Sequence, residues 1–189
     1  MPISDPTAGF ERLLDVLNRL GIRYVIGGSL ASSIRGTGRA TMDIDLVADL
    51  RLAQVDAFVS ALKDDFYADP GMILDAVRRR ASFHLIHLKS SYKFDVFPVA
   101  SEFERSQLAR GAIVEAAPFG AAPLKLAVSP AEDTILAKLA WFKKGGCISE
   151  RQWNDVTGVA RIQGDRLDLL AISGRGPRGW TSRSRWTAL

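Results

Sequence analysis

Cysteine is almost missing from this chain. Cys147 is the only one in 189 residues. That excludes an intrachain disulfide and any multi-cysteine metal site, and it fits a reducing, cytoplasmic setting. Histidine is nearly as scarce, with only His84 and His87. Three apart in a segment of strand character, they point to opposite faces, cannot share one ion, and are expected at core or rim positions. No stretch approaches the roughly 18 apolar residues of a membrane span. Met1 to Phe10 carries Asp5 and no basic cluster ahead of an apolar run, so neither a secretory signal nor a membrane partner is expected. Nor is polarity dominant. Hydrophobic residues make up 47% and charged residues 24%, enough apolar surface to exclude whole-chain disorder.

A basic excess is also missing from most of the chain, although the net charge is +4. Arg175, Arg178, Arg183 and Arg185 lie in residues 173–189, which hold no acid, and the remainder carries 21 basic and 21 acidic residues. A neutral body with a basic tail does not by itself argue for a nucleic-acid partner.

Asp5-Pro6 marks a helix start, and Phe10, Leu13, Leu14, Leu17 and Leu20 recur at helical spacing up to Gly21. Ile22 to Ile26 is β-rich. Gly27, Gly28 and Ser29 interrupt it before a short helix from Leu30 to Arg35, a glycine-containing loop through Arg39, and a strand from Met42 to Val47. Helices are expected over Arg51–Leu62 and Pro70–Arg80. Phe83–Leu88 and Tyr92–Val99, separated by Lys89, Ser90 and Ser91, form an expected hairpin. A short helix (Glu102–Ala109) and strands at Ile113–Ala116 and Pro123–Ala127 follow. Ser129, Pro130 and Glu132 have the types of an N-cap, a first helical proline and a capping-box acid. The helix they open buries Ile135, Leu136, Leu139 and Phe142 and stops at Gly145-Gly146. A second box, Ser149 to Gln152, opens a helix with Trp153, Val156 and Ala160 inward. Mixed strands and helices with a hairpin indicate an α/β or α+β fold rather than a bundle. Three units are expected: a mixed-sheet core over 1–128, a C-terminal helical segment over 129–172, and a Gly/Arg/Ser tail over 173–189.

Chemistry concentrates on three aspartates. Asp43 and Asp45 are two apart in strand-forming sequence, so both carboxylates share a face, with Ile44 and Leu46 on the other. Two such charges repel unless a cation lies between them, and hard ions such as Mg²⁺ take carboxylate oxygens while leaving positions for phosphate and water. The plain alternative is one solvated strand face. Asp95 lies among Phe94, Val96 and Phe97, where an unpartnered charge is costly to bury. The three together suit carboxylates converging on two metal ions. Gly27, Gly28 and Ser29, between a strand and a helix, permit close backbone approach to a phosphate at a helix N-terminus, though a simple turn also uses glycine. The run has neither the Walker ending nor the dinucleotide fingerprint.

These residues, in this order, resemble the DNA polymerase β-like nucleotidyltransferase superfamily. The run from Arg39 to Ala48 (Arg-Ala-Thr-Met-Asp-Ile-Asp-Leu-Val-Ala) is similar to the AbiEii/MenT toxin-related group. The similarity continues through Asp133 to Leu139 and Ser149 to Val156, covering about residues 8–170. The resemblance implies a Mg²⁺-dependent transfer of a nucleoside monophosphate from an NTP to an acceptor hydroxyl, on tRNA, a protein or a small molecule, with a role as a toxin–antitoxin component. In this reading Asp43 and Asp45 hold both of two Mg²⁺ ions, and Asp95 holds the acceptor-side ion. Gly28 and Ser29 hold triphosphate, and Gly27 belongs to the same loop. Arg39, Lys138 and Asp155 join the nucleotide site. Each also has a plain reading: a solvated arginine, a snorkelling surface lysine, and an exposed Arg151–Asp155 ion pair worth about 0.3–0.5 kcal/mol. Asn154 departs from the group, where a basic residue is common. Arg78 to Arg80 suit a helix C-terminus, or an RNA backbone. Cys147 has no histidine partner for nucleophilic chemistry. After Asp165-Arg-Leu-Asp-Leu the group continues with an apolar helix. Here the sequence turns to Gly174-Arg-Gly-Pro-Arg-Gly, the mark of a shifted frame, a truncation or a genuine basic tail. The alternative to an enzyme is a non-catalytic nucleotide-binding or protein-interaction member of the same fold.

Overall fold

The computed structural model describes residues 6–168 except Arg39, Met42 and Ala121. Asp5, Arg39 and the tail 173–189, for which roles were expected, lie outside the described residues. In chain order the elements are α1 (Thr7–Arg19), β1 (Tyr24–Ile26), α2 (Gly28–Arg35), β2 (Asp43–Ala48), a 3₁₀ turn (Leu52–Gln54), α3 (Val55–Leu62), β3 (Phe66–Tyr67), α4 (Pro70–Arg79), β4 (Phe83–His87), β5 (Lys93–Pro98), α5 (Glu102–Arg110), β6 (Ala112–Ala116), β7 (Leu124–Val128), α6 (Ala131–Lys144) and α7 (Glu150–Gln163), with a 3₁₀ turn at Gly164–Arg166. The expected mixed α/β fold is present. The two-residue β3 was not foreseen, and the helix expected from Arg51 opens as a 3₁₀ turn.

Seven strands form one sheet in the order β3-β4-β5-β2-β1-β7-β6. β2 pairs with β5, and β1 with β7, in parallel; the other neighbours are antiparallel. The hairpin from β4 to β5 is as expected. One face of the central strands is apolar: Ile44, Leu46, Phe94 and Leu85 are fully buried. Phe10 of α1 stacks on Phe94, and Phe58 of α3 meets Phe83 edge-on. α1, α3 and α4 contribute to this main core. The opposite face alternates to Asp43, Asp45, Lys93 and Asp95, as a period-two strand requires.

The α6–α7 pair has its own apolar cluster, built on Ile135, Leu136, Leu139, Val156 and Val159, with Phe103 of α5 and Trp153 packed against it. α7 approaches α2 backbone to backbone: a Cβ added at Gly36 would lie 2.6 Å from the Val159 nitrogen. Ser129 is not the helix cap expected of it. Pro130 is the N-cap of α6. The Ser129 amide donates to the Ile26 carbonyl, extending the β7–β1 pairing, and its buried hydroxyl accepts from Gln107 Nε2 at 2.7 Å. Ser149 does cap α7, accepting from the Gln152 amide.

α5 and α6 are tied together by Arg110 and Asp133. Asp133 is fully buried, and Arg110 Nη2 lies 2.5 and 2.6 Å from its two carboxylate oxygens. Removing the guanidinium strands a buried charge. Arg110→Met is therefore expected to destabilise the fold by about 3 kcal/mol, read as a shift of the denaturation midpoint at constant slope; no shift would show that the pair carries no such weight.

Candidate active site

The parallel register of β2 and β5 puts Asp45 beside Asp95 and Asp43 beside Lys93. Antiparallel β4 then sets His84 beside Asp95, while His87 is buried and packs on Phe66 and against Gly9. The two histidines thus take opposite faces, as their spacing requires. β2 and β5 floor a cleft of about 500 Å³. Its end is the start of α2, from Gly27 to Ser29. One wall is α5, with Phe103, Glu104 and Gln107; the other is α6 and α7, with Lys138, Trp141, Arg151 and Gln152.

Gly28 is required twice over. Its φ is +55°, and a Cβ there would overlap the Asp45 carboxylate. The Gly27 amide donates to the Asp45 carbonyl at 2.9 Å. The carboxylate of Asp45 thus lies against the first turn of α2, where the backbone of Ser29 hydrogen-bonds it. Burial, then the neighbouring Asp95 charge, push the Asp45 carboxyl above its ordinary value, against the pull of Lys138 and Ser29.

Lys138 is not a snorkelling surface lysine: it is 5% exposed. Its ammonium lies 2.7 Å from Asp155 Oδ2 and donates to Ser29 Oγ at 3.1 Å. Asp155 is likewise buried, at 7% exposure, so the plain alternative of an exposed pair with Arg151 gives way to a buried pair with Lys138. The reason is packing: α7 lies along α6 with Val156 inward, which carries Asp155 into the same interface. Arg151 stays exposed and lines the cleft.

Sequence reasoning passed over Lys93. Its ammonium is 2.8 Å from Asp95 Oδ2 and 3.7 Å from Asp43 Oδ1. The hydrogen bond to Asp95 raises its pKa. Period two from Asp95 would have placed it on the acidic face. Trp141, half exposed and with Lys144 over its ring, was passed over too, although it lies three residues beyond Lys138 on α6. Gln152 Oε1 is buried at the cleft wall with no hydrogen-bond partner among the described residues, so it is an acceptor open to a bound donor.

The structure therefore gathers Gly27, Gly28, Ser29, Asp43, Asp45, Asp95 and Lys138 around one cleft, with Asp155 behind Lys138. Among the described residues no three His, Cys, Asp or Glu side chains are drawn tightly enough to cage a metal ion, so the three carboxylates share a face without converging on one point. Their chemistry nonetheless fits a hard divalent cation: oxygen donors on an open face, one of them held charged only at a cost. No helix of the described residues is long and apolar enough to cross a membrane.

No protein-family model and no curated protein sequence matches the chain. Solved structures do. The solution structure of the antibiotic-resistance factor ANT(2'')-Ia is 17% identical, with a TM-score of 0.56, over 87% of this chain and 88% of that one. The lincosamide antibiotic adenylyltransferase LnuA, lincomycin-bound, is 15% identical with a TM-score of 0.47, over 81% of this chain and 95% of that one. An antigenic nucleotidyltransferase-like protein from Paracoccidioides brasiliensis is 19% identical with a TM-score of 0.47, over 77% and 69%. The first of these likenesses, at a TM-score of 0.56, shows a shared fold, a mixed α/β architecture of nucleotidyltransferase-like type.

Asp45 makes a test of the site's electrostatics. A carboxyl whose pKa is raised on folding binds its proton more tightly in the folded state, so the metal-free fold loses stability as pH climbs from the ordinary carboxylate pKa through the raised one. Asp45→Asn removes that penalty. In chelator-treated protein it is expected to raise the unfolding temperature at pH 7, with the gain shrinking as pH falls toward roughly 4. A gain independent of pH would contradict the assigned cause.

Proposed function

We propose that this chain is a nucleotidyltransferase that moves a nucleoside monophosphate from an NTP to an acceptor hydroxyl, releasing pyrophosphate. The observation that carries the reading is the register of β2 on β5, which sets Asp45 beside Asp95 on the open face, at the mouth of the Gly27–Gly28 turn. Asp43, Asp45 and Asp95 would hold Mg²⁺, which when bound supplies charge stabilisation to the attacking and leaving oxygens of an in-line displacement. The chain's own groups do the rest. The first turn of α2 offers backbone amides to phosphate, and Gly28 lets the triphosphate approach. Ser29 Oγ and the Lys138 ammonium add donors on that edge, with Asp155 fixing the ammonium. Asp95 faces the acceptor and takes its hydroxyl proton. Trp141 and Phe103 line opposite walls of the cleft and offer flat apolar surfaces to a bound base.

The acceptor is a hydroxyl of RNA such as tRNA, of a protein, or of a small molecule. The AbiEii/MenT resemblance extends the proposal to a toxin–antitoxin component. A second reading, nucleotide binding without transfer, is favoured by one observation: the Lys93 ammonium already lies on Asp95 and Asp43.

The deciding experiment incubates the protein with each labelled NTP, Mg²⁺ and cell extract, and sorts the label into RNA, protein and small molecules. Wild type is expected to transfer label from an NTP to one of these classes. Asp43→Ala and Asp45→Ala are expected to lower transfer by at least about 10³-fold, the equivalent of several kcal/mol of lost transition-state stabilisation. Asp95→Ala is expected to lose transfer yet keep much of the NTP affinity, because it serves the acceptor side. NTP binding with no transfer by wild type would establish the second reading; no NTP binding would remove both.

A further inference from the structure

The carboxylates of the open face already have a cation among them, and it belongs to the chain. Lys93 is the register partner of Asp43 and lies two residues before Asp95, so the same parallel pairing that assembles the acids delivers an ammonium to them. It lies 2.8 Å from Asp95 and 3.7 Å from Asp43. Asp45 and Asp95 face each other across the two strands, with Asp43 two residues away on the same face, and like charges so placed destabilise unless a cation offsets them. The arrangement differs from that of Lys138. That lysine is enclosed with Asp155, whereas the Lys93 side chain is 41% exposed at the rim. A half-exposed ion pair contributes little, and a lysine stem can swing its head into water at small cost. Lys93 is thus strong enough to occupy the carboxylates and weak enough to be displaced from them.

We infer that Lys93 is a resident counter-cation that competes with a divalent ion for Asp95 and Asp43. The inference rests on the metal-holding role proposed for these aspartates. It follows that the free protein binds the divalent ion weakly, and that a metal arriving with triphosphate, which brings its own negative charge, has the advantage over metal alone. Lys93 then sets a threshold for metal loading rather than contributing to the transfer.

The test measures Mn²⁺ binding to the full chain without nucleotide, by calorimetry and by the loss of the free-ion electron spin resonance signal. Wild type, Lys93→Met, Lys93→Gln and Lys93→Arg are compared. Removing a unit charge a few ångströms from the ion is expected to tighten binding at least about tenfold in the Met and Gln variants, even with surface screening. The Arg variant, which keeps the charge, is expected to match wild type. The Gln variant preserves a polar side chain should Met perturb folding. Equal Mn²⁺ affinity in wild type and both neutral variants would overturn the inference and leave the transferase reading untouched. Weaker binding in both would also overturn it, by showing that Lys93 positions the carboxylates for the metal. Absence of Mn²⁺ binding in every variant would overturn it together with the metal role of the aspartates.

Discussion

The parallel pairing of β2 with β5 is the constraint on which the rest of the site depends. Neither strand is adjacent to the other in sequence; α3, β3, α4 and β4 intervene. Once they pair in the observed register, four consequences are simultaneous. Asp45 meets Asp95, Asp43 meets Lys93, Ile44 meets Phe94 on the core side, and Leu46 meets Val96. A slip of one residue in β5 would turn Asp95 into the main core and Phe94 into the cleft. The apolar face therefore enforces the polar one. Phe94, fully buried beneath Phe10 of α1, holds Asp95 in place from the far side of the sheet.

Charge on the open face is arranged in two tiers. At the rim, Lys93 spans Asp95 and Asp43 and remains in contact with solvent. Deeper, Asp45 is packed against the glycine turn, with the backbone of Ser29 and the ammonium of Lys138 as its favourable neighbours and burial and Asp95 as its adverse ones. The adverse contributions prevail, since the carboxyl is displaced upward. A site that keeps a carboxylate at such a cost gains from any cation that enters, and this is the physical content of its fit to a divalent ion.

Much of this was legible in the sequence, and the illegible parts have physical causes. The alternation of Asp43, Ile44, Asp45 and Leu46 shows one acidic and one apolar face whatever the neighbouring strand. The Gly27-Gly28 turn announces itself between a strand and a helix. What sequence does not print is register, so Lys93 could be placed on the acidic face by period two but not beside Asp43. β3 escaped because two residues, Phe66 and Tyr67, are too few to show a period. Ser129 misled because its side chain has the chemistry of a cap, while its amide is claimed by the Ile26 carbonyl and its hydroxyl by Gln107. Lys138 stood between a surface reading and a nucleotide-site reading for a similar reason. A lysine at the margin of a helical stripe is ordinarily solvated, and only the packing of α7 encloses it. Arg39 lies outside the described residues, so its expected role stays a proposal.

The buried Lys138–Asp155 pair bears on why the helical segment is built as it is. Two helices already joined by Ile135, Leu136, Leu139, Val156 and Val159 need no ion pair between them. Two apolar side chains of similar volume would hold the interface as well or better, because desolvating both charges offsets much of their attraction. The pair is therefore poorly explained by stability. Its geometry offers a better account: the ammonium that Asp155 holds also donates to Ser29 Oγ, at the turn where α2 begins, and acts on Asp45. Asp155 fixes the position of a charge whose effect is felt one layer away, on the sheet. The close contact of Gly36 with the α7 backbone then acquires a purpose beyond packing, since it sets the distance from α7 to α2 and with it the reach from Asp155 through Lys138 to Ser29. In this account the helical segment is the second wall of the cleft and the anchor of its fixed positive charge, whereas Lys93 is its displaceable one.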